Sequence, residues 1–430
     1  MRVCATCFRL FPEGGFCPVD GKPLVDVGAT QPPSDPEDPR VGKSACGARY
    51  QLWRVVADGG MGRVYQALDT VGNRTVALKI LHTDVALDPV SVERFKREFQ
   101  FSAALPHDHI VEVLGFERTE DESWALVMEY LEGEELRTLL KREKTMSPEA
   151  VLRMMSHVAI GLTGAHEKKI VHRDLKPDNV FICHAGEGDL IKILDFGSVR
   201  DNSEGSKKLT VMGTTIGSPF YMSPEQAQGL PSLDHRADVW ALAAIAYECL
   251  TGTVPFAGSN GPTILLAILT QDPKPPSEVG AAFGVPRTLD DPMEMALAKN
   301  ANLRHATIGA LADAFGHAYG LEGDHHEWAK VPPSELKARI AAGLPAKLAG
   351  APAKLDLAAM DASMSGAAPV PAPPGAGGFR HITPNRDGGS ATEDDIVMGV
   401  KPPLPKWMIP VVAGVVLLCV VAIVVAFVVA

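Results

Sequence analysis

The sequence predicts an α+β protein: one large folded body followed by a single apolar helix at the C-terminal end. Three observations predict it. Apolar runs rich in β-branched residues come early (Thr75 to Leu81, Trp124 to Tyr130), and helix-like segments follow later. Hydrophobic residues are 46% and charged residues 22% of 430, an ordinary globular balance that excludes a wholly disordered, collagenous or coiled-coil chain. The last 24 residues, Trp407 to Ala430, carry no charge at all. The net charge of −11 argues against a nucleic-acid partner held by overall positive charge, so none is expected.

Taken in order, residues 1–26 stand apart through Cys4, Cys7 and Cys17, while Cys46, Cys183, Cys249 and Cys419 are scattered in a way that suggests no disulfide framework. Met1 to Asp20 has no apolar stretch of secretory-signal type, so the N-terminus is expected in the cytosol. Residues 27–47 read as a linker, with four prolines between Gln31 and Arg40. The body spans 48–320, and Ser147-Pro148-Glu149 reads as one helix start within it. Residues 321–406 read as a disordered spacer, since Ala, Pro and Gly supply 25 of the 40 residues from Ala341 to Arg380. His325-His326, at the end of the body, is expected on a solvated helix edge rather than in a metal site.

The segment 407–430 reads as a transmembrane helix, because about 22 residues at 1.5 Å rise cover roughly the 30 Å of a bilayer core. Lys401 and Lys406 precede it and Trp407 stands at its interfacial end, which predicts a single-pass anchor in the cytoplasmic membrane with the body on the cytosolic side and no external sensor domain. The lipid bilayer is thus an expected partner.

The chemistry concentrates in the body. Ala57-Asp58-Gly59-Gly60-Met61-Gly62-Arg63-Val64 follows an apolar run, and glycines there let backbone N–H groups approach phosphate oxygens. A plain Gly-rich hairpin gives the same pattern. Lys79, in the apolar run Val76-Ala77-Leu78-Lys79-Ile80, needs a counter-charge or an anionic ligand, since a buried unpaired ammonium is costly. Glu98 can supply that charge from a helical segment whose Phe95 and Phe99 share one face. Val171-His172-Arg173-Asp174-Leu175-Lys176-Pro177-Asp178-Asn179 and Ile193-Leu194-Asp195-Phe196-Gly197 then place Asp174, Asn179 and Asp195 within 22 residues. Such oxygen ligands suit Mg²⁺, and a carboxylate beside them suits a general base.

These motifs, in this order and rough spacing, resemble the protein kinase fold, and Gly-Gly-Met-Gly-x-Val-Tyr is similar to the eukaryotic-like bacterial serine/threonine kinases. The match continues through Gly217 to Glu225, Asp234 to Trp240 and Leu250 to Phe256, ending near Arg304. The resemblance implies a bilobal protein kinase fold with a β-rich N-lobe and a helical C-lobe. It implies ATP as phosphate donor, with Mg²⁺ as its ion and Mn²⁺ as the alternative, and proteins bearing Ser or Thr as substrates. Ala57, Gly59, Gly60, Gly62, Val64 and Ala77 would line the nucleotide site. Lys79 would hold the α- and β-phosphates and pair with Glu98. Asp174 would act as base toward the attacking hydroxyl, Lys176 would neutralise the γ-phosphate, and Asn179 and Asp195 would hold the metal. Arg173 before Asp174 implies activation by phosphate on the loop between Asp195 and Glu225, with Thr210, Thr214 and Thr215 as acceptors and a homodimer serving trans-autophosphorylation. Ala57, Ser218 and Ser223 depart from the family pattern without removing a catalytic group. The alternative is a catalytically inactive kinase-fold scaffold at the membrane, which the intact set of Lys79, Glu98, Asp174, Asn179 and Asp195 disfavours.

Cys4-x-x-Cys7, followed by Cys17-Pro-x-Asp20-Gly, resembles half of a zinc ribbon with a second knuckle whose last cysteine has become Asp20. The resemblance implies a structural Zn²⁺ on Cys4, Cys7, Cys17 and Asp20, with Cys46 or water as alternatives for the last ligand. Three reduced thiols in a disordered arm is the opposing reading.

Overall fold

In the computed structural model the described residues are 2–4, 6, 10–11, 14–18, 20–26, 38–184, 188–196 and 219–350. At the N-terminus, β1 (Arg2–Cys4), β2 (Leu10–Phe11) and β3 (Leu24–Asp26) form a small antiparallel sheet in the order β2-β1-β3. Its own core is small: Cys4, Cys17 and Leu24, with Phe11 packed against them. Val3, fully buried, packs with Val25 against Trp53 and Leu68 of the next sheet, so the module leans on the body.

That next sheet has six antiparallel strands: β4 (Ser44–Ala45), β5 (Tyr50–Asp58), β6 (Gly62–Asp69), β7 (Arg74–Leu81), β8 (Val113–Arg118) and β9 (Trp124–Glu129), in the order β4-β5-β6-β7-β9-β8. Two register shifts between β5 and β6, at Leu52/Arg54 and Val55/Ala57, add curvature next to the Gly-rich turn. One cluster takes Tyr50, Leu52, Tyr65, Ala67, Val76, Leu78 and Ile80; the other takes Leu81, Phe95 and Leu126 beneath the helix Pro89–Ala103. Asp88 caps that helix by accepting hydrogen bonds from the N–H groups of Val90 and Ser91 at 3.3 and 3.0 Å. Phe95 and Phe99, four residues apart, both meet the Phe116 ring at 5.6 and 5.5 Å.

The stretch expected as linker is built onto this sheet from Asp38 onward. Asp38 is 3% exposed and accepts from Arg63 Nη1 at 2.7 Å and from the Tyr65 hydroxyl at 2.6 Å. Arg40 pairs with Asp121, and the N–H groups of Cys46 and Gly47 bind the Glu120 carboxylate at 3.2 and 2.8 Å. A Pro-rich, polar composition conceals these partners because every one lies 25 or more residues away in sequence.

The second lobe is helical. Pro148–Glu167 begins at Ser147, whose backbone takes the N-cap position without a side-chain cap bond. Arg236–Thr251 is buried on nearly every face, and Ile308–Ala318 packs beside both. A three-stranded sheet of β10 (Gly133–Glu135), β11 (Val180–Cys183) and β12 (Leu190–Ile193), in that order, lies in this lobe and is bridged to the first through Ile110 and Ile193.

The expected spacer begins too early. His325–Trp328 and Pro333–Gly350 are helices, and Trp328, Leu336 and Ile340 join the core of the helical lobe. His325 is likewise buried, with Nδ1 2.7 Å from Asp313 Oδ1, instead of lying on a solvated edge. The Ala-rich composition hides the apolar spacing of these anchors. The expected spacer beyond residue 350 and the expected span 407–430 lie outside the described residues, and among the described residues no helix is long and apolar enough to cross a membrane.

Candidate active site

β7 carries Lys79 in a strand whose neighbours Leu78 and Ile80 point into the core, which leaves the lysine on the opposite face toward the helix Pro89–Ala103. Its Nζ lies 2.8 and 3.0 Å from the two Glu98 oxygens and 3.3 Å from Asp195 Oδ2. Glu98 is buried and Lys79 largely so, and the Phe95 ring sits 5.6 Å from the ammonium. Burial alone would lower the Lys79 ammonium, but the Asp195 and Glu98 carboxylates outweigh it and hold it above its ordinary range. Burial, with the Asp195 charge adding to it, pushes the Glu98 carboxyl up to about 7 against the opposing pull of Lys79. The ion pair therefore loses its carboxylate charge as the pH falls through neutrality.

Asp195 stands just after β12 with φ +55, and Arg173 precedes Asp174 with φ +66, both in the left-handed region that non-glycine residues rarely occupy. Asp238 over-determines the second of these. Its buried carboxylate accepts from the N–H groups of His172 and Arg173, each at 2.9 Å, and lies 2.8 Å from His166 Nε2. Gln226 Nε2 donates to the Arg173 carbonyl at 2.7 Å, and His172 Nε2 reaches the Leu194 carbonyl at 3.0 Å, tying the loop to the strand that delivers Asp195.

On that loop Lys176 Nζ is 2.7 Å from Asp174 Oδ2. Asn179 Nδ2 donates to the Asp174 carbonyl at 2.7 Å, which commits the nitrogen of this amide to the loop and leaves its carbonyl oxygen as the atom for a cation. Asp174 and Asp195 are about equally exposed, and Glu98 is the most buried of the three carboxylates. Lys79, Glu98 and Asp195 thus form one cluster and Asp174, Lys176 and Asn179 a second, and the two meet at one end of the β11–β12 hairpin, where the Leu194 N–H donates to the Asn179 carbonyl at 2.9 Å. A hard divalent cation fits the carboxylate of Asp195 and the amide oxygen of Asn179.

At the Gly-rich turn the Gly59 N–H bonds the Gly62 carbonyl at 3.1 Å. A Cβ on Gly62 would stand 2.4 Å from the Ile80 carbonyl, so that glycine answers a strand-packing demand, whereas Gly60 has open space around it. Val64 pairs with Lys79, and Ala77 with Gln66 on one side and Met128 on the other, so both sit in the sheet beside the lysine. Ala57 pairs with Val64 across the turn. Ser223 caps the short helix Pro224–Ala227, and Glu225 in it meets the buried Arg304 at 2.7 Å through both oxygens. Gly217, Ser218, Thr210, Thr214 and Thr215 lie outside the described residues.

The model of the protein kinase domain matches residues 50–315. The chain belongs to the protein kinase family. The kinase domain is 34% identical over 276 residues to the serine/threonine-protein kinase pkn3 of Myxococcus xanthus, covering 64% of this chain and 50% of that protein. It is 37% identical over 266 residues to PknB of Mycobacterium tuberculosis, covering 61% and 42%, and 36% identical over 267 residues to PrkC of Bacillus subtilis, covering 62% and 40%. The chain thus spans about half the length, or less, of these curated relatives. A crystal structure of the Mycobacterium tuberculosis PknI kinase domain aligns at 27% identity and a TM-score of 0.49, over 63% of this chain and 96% of that one.

Sequence reasoning does not single out Asp238 or Gln226. An aspartate directly preceding the uncharged run Val239 to Tyr247 is the available signal for the first, since a buried carboxylate must find donors. Gln226 offers none.

The thiol cluster of the N-terminal module is partly described. Cys4 Sγ donates to Asp20 Oδ2 at 3.0 Å, and one ligand atom each of Cys4, Cys17 and Asp20 lie within 4.8 Å of one another. The turn at Cys17 is closed by its N–H on the Lys22 carbonyl at 2.7 Å. Cys7 lies outside the described residues.

Proposed function

We propose that this protein is a membrane-anchored serine/threonine protein kinase that moves the γ-phosphate of ATP onto Ser and Thr hydroxyls of proteins, its own activation loop included. The observation that carries the reading is the closed Lys79–Glu98 pair at 2.8 Å with Asp195 3.3 Å from the same ammonium. That cluster offers a positioned ammonium for a polyphosphate and, in Asp195, a carboxylate for the cation that would accompany it, and Lys176 lies beside Asp174 at the second cluster.

Asn179 and Asp195 would hold Mg²⁺, which when bound would supply charge neutralisation for the phosphates. Lys79 binds and orients the α- and β-phosphates, with Glu98 keeping its ammonium in place. Asp174 orients the attacking hydroxyl and accepts its proton, and Lys176 offsets the charge at the transferred group. Positioned charge is the main resource of this reaction, which is why the two clusters rest on buried supports.

Three further parts complete the proposal. Thr210, Thr214 and Thr215 are the acceptors in the activation loop, in a transient homodimer. Trp407 to Ala430, uncharged and preceded by Lys401 and Lys406, anchors the domain on the cytosolic face of the cytoplasmic membrane. Zn²⁺ on Cys4, Cys7, Cys17 and Asp20 staples a module too small to fold by its own core.

The test uses the full chain in detergent with labelled ATP and Mg²⁺, beside Asp174→Asn. Loss of the base should lower the rate by about 10²- to 10⁴-fold. A folded parent that transfers no phosphate to itself or to added protein refutes the enzyme reading. About one zinc per chain by metal analysis, lost in Cys4→Ser, supports the staple, and membrane partitioning lost on removing 407–430 supports the anchor.

A further inference from the structure

Beside the catalytic loop, a second set of charges does not belong to the clusters described above. Arg137, on the helix Leu136–Glu143, places Nε 3.3 Å from Asp178 Oδ2 and Nη1 3.0 Å from Glu248 Oε1, and Nη2 donates to the Tyr221 hydroxyl. Tyr221 donates in turn to Glu248 Oε2, and its ring lies 5.5 Å from the guanidinium. The side chain of Arg137 is 19% exposed and that of Glu248 13%, whereas that of Asp178 is 45% exposed and forms the outer edge of the set. Glu135 stands next to it, half-buried, its carboxyl raised by burial and then by the charge of Asp178.

Two facts place this clasp within reach of a protein substrate bound at Asp174. Asp178 is four residues from Asp174, hence within about 14 Å of it along the chain. Tyr221 comes from the turn Pro219–Tyr221, just before the Glu225 helix that follows the activation loop. An extended substrate advances about 3.3 Å per residue, so a side chain two to four positions from the acceptor hydroxyl reaches the outer edge. Without Arg137 that edge would present the carboxylates of Asp178, Glu248 and Glu135, a ready seat for a cation. With it, a three-partner guanidinium already occupies the seat, and its planar fork cannot be displaced without stranding Glu248 in a buried position.

We propose that Arg137 is a specificity-determining residue that fills, from within the chain, the cation subsite beside the catalytic carboxylate, so that acceptor sequences with Lys or Arg at the matching position are disfavoured. The proposal rests on the protein kinase reading. Discrimination arises from the repulsive element as much as from any attraction.

The experiment measures kcat/KM of the full-length protein on Ser/Thr peptides in which each of the four positions on either side of the acceptor is Ala, Arg or Glu. The parent should show an Arg-to-Ala ratio at or below one at every position. Arg137→Met, which keeps the stem but removes the charge, should raise that ratio about tenfold at one position, and adding Glu248→Gln should reverse the gain. A folded Arg137→Met that phosphorylates the Ala peptide with unchanged ratios throughout overturns the proposal. Asp178→Asn gives an independent reading with Arg137 intact: the uncovered guanidinium should raise the Glu-to-Ala ratio several-fold, and an unchanged ratio overturns the proposal even if Arg137→Met fails to fold. A parent that transfers phosphate to no peptide and not to itself refutes the kinase reading instead, and the proposal falls with it.

Discussion

The Gly-rich turn at residues 58–62 and the loop at residues 172–179 are held by groups of very different burial. Around the turn, Asp58 pairs with Arg63 and with His82 Nε2 at 3.1 Å, and the same His82 nitrogen is 2.9 Å from the Gly59 carbonyl. The Asp58 side chain is 45% exposed, and surface pairs of this kind contribute little and weaken in salt. At the loop, Asp238 is fully buried and binds two consecutive backbone N–H groups, one of them on a residue in left-handed conformation. Charge-assisted bonds in a dry setting are shorter and stronger than neutral ones. In the proposed kinase, a lid over a nucleotide would have to open and close, while a base would have to stay within a fraction of an ångström of its target; the burial of each support is consistent with that division.

The largest test of this contrast is Asp238→Asn. The amide keeps the shape but replaces the buried charge and turns one acceptor into a donor facing backbone N–H, so about 3 kcal/mol or more of stability should be lost. Chemical denaturation reads the loss, and phosphoryl transfer should fall with it. A variant as stable and active as the parent would mean that the loop holds its left-handed residue unaided.

Next comes Gly62→Ala. Its Cβ would meet the Ile80 carbonyl at 2.4 Å, and relieving that clash by moving β6 off β7 should cost about 1–3 kcal/mol in thermal unfolding. Gly60→Ala, with nothing within 4 Å, should change stability by under about 1 kcal/mol. Equal effects at the two positions would show that the turn behaves as one flexible unit.

Acid titration provides the third measure. His157 Nδ1 accepts from the Ile191 N–H at 3.2 Å, its Nε2 reaches the Ala329 carbonyl at 3.2 Å, and its ring stacks on His109 at 4.2 Å. Burial first, then the charge of His109, lowers it to about 3 from an ordinary value near 6.5. The neutral ring is the folded form, so its contribution is complete above about pH 6.5 and is lost as the pH falls toward 3. The slope is at most about 1.4 kcal/mol per pH unit for one proton. His157→Asn should remove that share of the slope, leaving those of His109 and His305, which burial lowers as well. A slope unchanged by the substitution would place the acid sensitivity elsewhere.

How much of this is legible in the sequence follows from the range over which each residue acts. Lys79 announces its need for an anion through its apolar neighbours, and Glu98 on the following helix is 19 residues away, within the reach of helix and strand reasoning. The run from Val171 to Asn179 likewise carries its chemistry in consecutive residues. Asp38 reads as one more acid in a Pro-rich stretch, because nothing nearby in sequence points to Arg63 or Tyr65. Trp328, Leu336 and Ile340 read as part of a spacer, because their apolar spacing is diluted by alanines and charges and is completed only by the helices they pack against.

The sequence by itself determined the order and identity of the motifs that mark a protein kinase domain, and with them the positions of Lys79, Glu98, Asp174, Asn179 and Asp195. Those groups sit in short motifs whose burial and charge are locally readable. Only the tertiary structure decided that Asp238 clamps the loop, that Asp38 braces the sheet and that Arg137 closes on Asp178 and Glu248. Each of these is a pairing across 25 to 111 residues, and the stability of a buried charge depends on which donors the fold brings to it, a fact no local pattern contains.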